Sequence, residues 1–167
     1  GTRGNVSKVG YATSANGQTW SRQGTVLSPS SEGGWDAASV EPGSIEQLPD
    51  GSIRLWYSGF DGDIWRIGSA TAGAPGDRFS REAGSVRDYQ MGTGAPGEWD
   101  DSGTRHPWVQ KTDDGLQLWY AGFDGSVWRL GYATRESAGD DFERSLDTVE
   151  EPRPVLEPSM GTFEPNG

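Results

Sequence analysis

The sequence predicts an all-β fold, a β-propeller built of four-stranded antiparallel blades. The first observation is a repeat: LWYSGFDGDIWRIG at 55–68 returns as LWYAGFDGSVWRLG at 118–131, identical at ten of fourteen positions. The second is that apolar residues alternate at period two while Gly or Pro interrupts every long segment, which favours strands over helices. Near-identical hairpins at a fixed period favour radial stacking of similar sheets over a β-sandwich.

The composition agrees with one β-rich domain spanning residues 1–167. Eight Trp, five Tyr and five Phe accompany 26 Gly and 10 Pro, which is typical of short aromatic strands separated by tight turns. The net charge is −11 and no basic stripe occurs, so nucleic acid is not expected as a partner. The chain has no Cys, which excludes disulfides and thiolate metal sites.

The sequence contains no sign of membrane insertion or of a cofactor. No apolar run approaches the roughly 20 residues that span a bilayer, and the opening GTRGNVSKVG is not a signal peptide. We therefore expect a soluble chain without a membrane partner, and its compartment stays undetermined. No phosphate loop, zinc spacing or nucleophile elbow is present, so neither cofactor nor metal is expected.

Strands are predicted along the whole chain. An Asn-Gly turn joins the first two, over 9–13 and 20–27. The next lies over 39–48, and because Pro42 cannot donate to a ladder it should be an edge strand or contain a bulge. The remaining strands are predicted over 52–60, 63–72, 104–112, 116–123 and 126–135, with a weaker, polar outer strand over 77–88.

Trp-Asp pairs mark the repeat length. Trp35-Asp36 returns 64 positions later as Trp99-Asp100, and Phe163-Glu164 stands 64 positions beyond that. The repeats are therefore a partial blade over 8–34 followed by blades over 35–98 and 99–162.

Two and a half blades do not close a ring. Two chains would supply about twenty strands, the number a five-bladed ring needs, but both chain ends resemble outer strands without inner ones. Two interpretations stay open: a homo-oligomer, for example a dimer, that completes a five-bladed ring, or a fragment of a larger propeller.

The order of GYATSANGQTW, VLSP, GGWDAASVEPGSI and GSIRLWYSG resembles that of the five-bladed propeller glycoside hydrolases, the clan of arabinanases, β-xylosidases, invertases and levansucrases. The resemblance covers nearly the whole chain and rests on blade-building phrases. It implies a carbohydrate partner and hydrolysis of a glycosidic bond. SANGQTW is also similar to the Asp-box turn of sialidases, but it is one residue short and has Asn16 where Asp is expected.

Glycosidases of this clan carry catalytic carboxylates on the innermost strands of the propeller. Glycosyl transfer needs two of them, because one carboxyl must be protonated and another ionised. In the sequence such a carboxylate typically appears as an acidic residue directly before Pro. Val40-Glu41-Pro42 fits this phrase, with Glu for the commoner Asp. The next repeat has Arg105-His106-Pro107, which puts the chain's one His where a carboxylate is expected. The resemblance therefore implies Glu41 and one of Asp36 or Asp100 as the working carboxylates. The carboxylate missing at His106 favours the alternative of a non-catalytic carbohydrate-binding or structural propeller.

Further candidates surround this phrase, each with a structural alternative. The catalytic candidates are Glu41, Asp36, Asp100 and His106, and the substrate-binding candidates are Trp35, Trp99, Arg105 and Trp108. The alternatives are an ordinary strand-edge acid for Glu41, turn capping and inter-blade packing for the Trp-Asp pairs, and a structural hydrogen bond for the lone His. Four Asp residues directly precede Gly and are predicted as turn residues rather than metal ligands: Asp50, Asp61, Asp114 and Asp124.

Overall fold

A computed structural model describes residues 6–84, 88–136, 140–145 and 154–155. This described part contains ten strands and no helix, and hence no helix able to cross a membrane. Phe163 and Glu164 lie outside the described residues. The strands are β1 (Val9–Thr13), β2 (Ser21–Leu27), β3 (Ser39–Gln47), β4 (Ile53–Phe60), β5 (Trp65–Ala72), β6 (Ser80–Glu82), β7 (Gly103–Thr112), β8 (Gly115–Phe123), β9 (Trp128–Arg135) and β10 (Glu143–Arg144).

The strands form three antiparallel sheets. β1 pairs with β2, and two four-stranded sheets follow in the orders β3-β4-β5-β6 and β7-β8-β9-β10. Each four-stranded sheet is a meander in chain order, which is the form of a propeller blade. The predicted all-β fold of four-stranded blades after a two-stranded half-blade is confirmed, and we call the sheets the half-blade, the first blade and the second blade.

The innermost strands β3 and β7 each form one edge of their blade. The β3 ladder shifts register between Pro42 and Ile45, and the β7 ladder shifts between Arg105 and Trp108. Both features predicted from Pro42, an edge position and a bulge, are therefore present, because a residue without an N–H cannot continue a regular ladder.

The outer strand of the first blade is shorter than predicted. Within 77–84 only Ser80–Glu82 joins the ladder. The Asp77 N–H bonds the Ala74 carbonyl in a turn, and the Phe79 N–H bonds the Val26 carbonyl at the end of β2. These donors are used outside the blade, so the prediction over 77–88 was too long.

Both faces of β4 are buried, as its large residues on alternating sides predict. Leu55 and Tyr57 pack with Val9 and Leu27 of the half-blade. Trp56, on the other face, is 1% exposed and packs in the cluster that includes Leu118 of the second blade. The first blade is therefore enclosed by a sheet on each side.

The two innermost strands lie against each other. A Cβ placed on Gly43 of β3 would overlap the backbone carbonyl of Pro107 in β7. One residue further along β3, the Ser44 hydroxyl accepts a hydrogen bond of 2.8 Å from the Val109 N–H. This contact brings Glu41-Pro42 of β3 beside Arg105-His106-Pro107 of β7.

Candidate functional site

Three of the predicted site residues meet where β3 and β7 run side by side. The Arg105 Nη2 donates to the Glu41 Oε2 at 2.7 Å, and the His106 Nε2 lies 3.5 Å from the same oxygen. The side chain of Glu41 is 23% exposed and that of His106 is 56% exposed. The cluster therefore combines a carboxylate, a cation and an imidazole at a place that solvent reaches.

The backbone of His106 is unusual. Its φ is 55°, and among the described residues it is the one non-glycine residue with a positive φ. It sits in the bulge of β7, where its N–H donates to the Ser58 Oγ at 2.8 Å. A left-handed backbone at a non-glycine residue costs about 1 to 3 kcal/mol, so this orientation of the imidazole is held by its surroundings.

The pKa of His106 lies below its usual value. Burial is the main cause, and the positive charge of Arg105 adds to it, while the Glu41 carboxylate acts in the opposite direction. These surroundings therefore favour the neutral form of the imidazole more than water does.

This shift predicts a pH dependence of folding. The unfolded chain protonates its His at higher pH than the folded chain, so the His106 contribution to stability is lost as pH falls through the ordinary pKa of about 6.5 and then through the lower folded pKa. We expect urea unfolding of His106→Asn to lose less stability between about pH 8 and about pH 5 than wild type. Asn is the appropriate replacement because it tolerates positive φ. Equal losses in the two proteins would contradict the assignment.

Arg105 lies between two indole rings that the sequence did not single out. Its guanidinium carbon is 4.3 Å from the ring centroid of Trp65 and 5.7 Å from that of Trp128. The two Trp residues occupy the same position in the repeated hairpins, directly before an Arg. That recurrence was the available signal, but it indicated blade construction as readily as function.

Asp36 is fully buried at the start of the first blade. Its Oδ2 accepts hydrogen bonds from the Tyr57 hydroxyl at 3.0 Å and from the Arg81 Nε at 2.7 Å. Burial, together with the Asp36 charge, raises the pKa of Tyr57 well above its usual value, so the phenol stays a donor. Asp36 thus joins the loop before β3 to the outer strand β6.

Asp100 repeats this arrangement in the second blade. It is also fully buried, and its Oδ2 accepts from the Tyr120 hydroxyl at 2.9 Å and from the Arg144 Nε at 2.8 Å. Burial and the Asp100 charge raise the pKa of Tyr120 in the same way. No hydrogen bond or ion pair of the described residues joins Asp36 or Asp100 to Glu41.

Trp35 and Trp99 are half-buried and pack against the same tyrosines. Trp35 stacks on Tyr57 at a centroid distance of 5.4 Å, and Trp99 stacks on Tyr120 at 5.6 Å. Each indole also covers two glycines of its own blade, which leave room for the ring.

This packing predicts a steric effect at Gly122. A Cβ there would overlap both the Trp99 ring and the Asp100 Cβ, so Gly122→Ala should lower the free energy of unfolding by about 1 to 3 kcal/mol through overpacking. Gly10→Ala is the matched control, because its Cβ would meet only the Gly24 carbonyl at 3.5 Å. Urea unfolding measures both, and equal stabilities would contradict the packing.

Trp108 lies apart from this packing. Its side chain is 53% exposed and begins an aromatic row across three strands, 5.1 Å from Trp119, which is in turn 5.0 Å from Tyr132. Trp119 is the repeat equivalent of Trp56, whose ring is buried under the second blade. The aromatic row therefore lies on one face of the second blade, and the equivalent face of the first blade is covered by the second blade.

The Asp-Gly turns use their carboxylates locally. Asp61 and Asp124 each accept two backbone N–H groups from the residues two and three positions later. The hydrogen bond from Arg129 is the main cause that lowers the pKa of Asp124 to about 2. These contacts agree with turn chemistry. Within the described residues no group of three or more His, Asp or Glu is placed to hold a metal ion.

Comparison with known proteins identifies the fold. No family model and no curated protein matches the sequence, but solved structures do. Zg3597, a family 117 glycoside hydrolase of the marine bacterium Zobellia galactanivorans, aligns with a TM-score of 0.69 and 23% identity over 83% of this chain and 41% of its own. The β-1,2-mannobiose phosphorylase of Listeria innocua aligns with a TM-score of 0.64 and 18% identity over 96% of this chain and 41% of its own.

A glycosyl hydrolase of Bacteroides ovatus gives a similar result, with a TM-score of 0.65 and 15% identity over 95% of this chain and 45% of its own. The chain thus spans less than half the length of each of these three structures. The predicted resemblance to propeller glycoside hydrolases is confirmed for the fold, which is what identities in this range can show.

Proposed function

We propose that this chain carries part of a carbohydrate-processing centre that hydrolyses a glycosidic bond, with Glu41 as its working carboxylate. The observation that carries the proposal is the cluster on the innermost strands, where one Glu41 oxygen lies 2.7 Å from Arg105 and 3.5 Å from His106. A solvent-reachable carboxylate on an innermost strand is what the resemblance to propeller glycosidases implies. The fold shared with glycoside hydrolases and with a mannobiose phosphorylase supports a carbohydrate substrate.

Glu41 and His106 divide the proton transfers in this proposal. Glu41 acts as the base that takes a proton from the attacking water, or as the nucleophile at the sugar carbon, and His106 donates a proton to the leaving oxygen. The two side chains lie 3.5 Å apart, so the substrate must separate them when it binds. A lowered pKa makes the imidazolium a stronger acid, although a smaller fraction is protonated at neutral pH. Arg105 holds Glu41 through Nη2, and its Nη1, which has no hydrogen bond within the described part of the chain, can bind a sugar hydroxyl.

We assign Asp36, Asp100, Trp35 and Trp99 to holding each blade together rather than to the reaction. Their burial and their Tyr and Arg partners support this assignment. The structural alternative for the Trp-Asp pairs is therefore the one we favour, and Glu41, Arg105 and His106 remain as the centre.

The test is a screen of purified protein against chromogenic arabinosides, xylosides, fructosides and mannosides. Turnover of at least one glycoside is expected, with a rate that falls as pH rises through the lowered pKa of His106 and with that fall abolished in His106→Gln. Failure of every glycoside to react would contradict the proposed hydrolysis.

A second candidate function is a non-catalytic carbohydrate-binding or structural propeller that completes its ring by association. The observation that favours it is the uncovered aromatic row, because Trp108 is 53% exposed while Trp56 on the equivalent face of the first blade is 1% exposed. Exposed aromatic faces of this kind mark interaction sites. Light scattering after size exclusion should then give a mass above the monomer's 18.0 kDa, reduced to the monomer in Trp108→Ser, and a monomeric wild type would contradict this candidate.

A further inference from the structure

The hairpin tips of the two blades enclose the Arg105 guanidinium. Trp65 begins β5 of the first blade and Trp128 begins β9 of the second, so each blade contributes one ring. Each ring is backed by a stacked Phe: Phe60 lies 4.8 Å from Trp65 at 18°, and Phe123 lies 4.7 Å from Trp128 at 19°. The two indoles are thus fixed from behind.

Gly103, at the start of β7, lies close to both Trp residues. A Cβ at Gly103 would lie 3.7 Å from the Trp65 Cβ and 3.9 Å from the Trp128 Cη2, so both residues come close to the start of β7. Arg105 follows two positions later, and alternation along the strand turns it to the same side. The start of β7 therefore places the Arg105 guanidinium beside Trp65 and Trp128 at the hairpin tips.

The two indole rings give the Arg105 guanidinium contacts that its hydrogen bonds do not provide. Among the residues that the structure describes, Arg105 forms a hydrogen bond through Nη2, and its buried Nε has no partner. An Arg over an indole face gains about 0.5 to 2 kcal/mol, most when desolvated. The stacking therefore fixes a guanidinium that would otherwise be held by Glu41 alone.

The repeat shows how this arrangement differs from blade construction. Glu41 pairs with Ser58, and Arg105 pairs with Ala121, the repeat equivalent of Ser58. The counterpart of Glu41 is therefore Arg105, and not His106 as the alignment of the two Pro residues predicted, so the two equivalent positions carry opposite charges. Trp65 and Trp128 are equivalent to each other and are unchanged. The charged residue at this position of the innermost strand thus differs between the repeats, whereas the Trp residue of the hairpin is the same in both.

We propose that Trp65 and Trp128 are positioning residues that hold Arg105 where it sets the Glu41 carboxylate and the electrostatic surroundings of His106. The inference rests on the proposed function for the role of Glu41 in a reaction. The hold on Arg105 itself can be measured without any reaction.

The chain provides an internal probe, because His106 is its one His. The imidazole resonances can therefore be followed by NMR against pH without assignment of other His signals. The Arg105 charge lowers the pKa of His106, so a released guanidinium should let the pKa rise. We expect Trp65→Leu to move the titration midpoint upward, and Trp65→Phe, which keeps an aromatic face, to leave it near wild type. Trp20→Leu is the matched control, since Trp20 is 61% exposed just before β2, and its midpoint should equal that of wild type.

A midpoint in folded Trp65→Leu equal to that of wild type would overturn the proposal, as would an equal rise in Trp20→Leu. If Trp65→Leu does not fold, Trp128→Leu takes its place, since Trp128 is 38% exposed, and the same upward shift is required of it. If wild type hydrolyses a glycoside, kcat for that glycoside should fall about tenfold in Trp65→Leu, because misplacement of a reacting group slows the reaction. KM should change less than kcat. If wild type turns over no glycoside, the proposed hydrolysis fails while the titration still decides the hold on Arg105.

Discussion

Replacing Glu41 with Gln should lower kcat/KM on the best glycoside by about 100-fold or more, because a positioned base or nucleophile contributes factors of this size. Gln keeps the length and shape of the side chain and can still accept a hydrogen bond from Arg105. What it removes is the negative charge and the ability to take a proton or attack a sugar carbon. Steady-state kinetics with a chromogenic glycoside measures the effect, and a thermal unfolding curve shows that the variant is folded.

Glu46 provides the matched control on the same strand. It is also partly exposed, with 18% of its side chain reached by solvent, and it is ion-paired with Arg54 at 3.0 Å. Glu46→Gln makes the same chemical change away from the cluster and should keep wild-type turnover. Unchanged kinetics in Glu41→Gln, or an equal loss in Glu46→Gln, would remove Glu41 from the mechanism.

Replacing Asp100 with Ala should lower the free energy of unfolding by about 3 to 5 kcal/mol, the range for removing one partner of a buried ion pair. The carboxylate is fully buried, and its loss would leave the Tyr120 hydroxyl and the largely buried Arg144 guanidinium without their acceptor. Urea unfolding followed by Trp fluorescence measures the loss. Asp36→Ala should behave similarly in the first blade, with a smaller loss because Arg81 is more exposed.

Asp124→Ala is the comparison for this prediction. Asp124 also pairs with an Arg, but it sits in an exposed hairpin turn, so its removal should cost clearly less stability. Asp100→Asn then distinguishes a structural role of Asp100 from a catalytic one. If our proposal is correct, a folded Asp100→Asn should turn over the glycoside as wild type does. A folded Asp100→Asn without turnover would instead restore Asp100 as a catalytic residue, and an Asp100→Ala as stable as Asp124→Ala would refute the buried pair.

The strands could be predicted from sequence because their causes are local. The period-two alternation, the Asp-Gly turns and Pro42 each act over a few residues. Boundaries were less accurate where a side chain took the backbone donors. The strand predicted from residue 63 begins at Trp65, because the N–H groups of Asp63 and Ile64 bond the Asp61 carboxylate.

The site could be predicted only in part. Comparing repeats singled out Glu41, Arg105 and His106, since function tends to lie where otherwise similar repeats differ. The partners of Asp36 and Asp100 could not be found in this way, because Arg81 and Arg144 lie 45 and 44 residues further along the chain and meet the carboxylates only when the blade closes.

The left-handed backbone of His106 was also beyond the sequence, which shows a strand at that position. The bulge and the Ser58 hydroxyl that set this φ come from neighbouring strands. Trp65 and Trp128 were visible as repeated residues, but their role depends on a third residue, Arg105, that the fold brings between them.

The most direct test of a carbohydrate site at Glu41, Arg105 and His106 is the His106 imidazole signal during titration with the glycosides of the screen. We expect a saturable shift for at least one glycoside in wild type and in Glu46→Gln, and a weaker shift in Arg105→Gln. A His106 signal that stays unchanged with every glycoside would contradict a carbohydrate site at these residues.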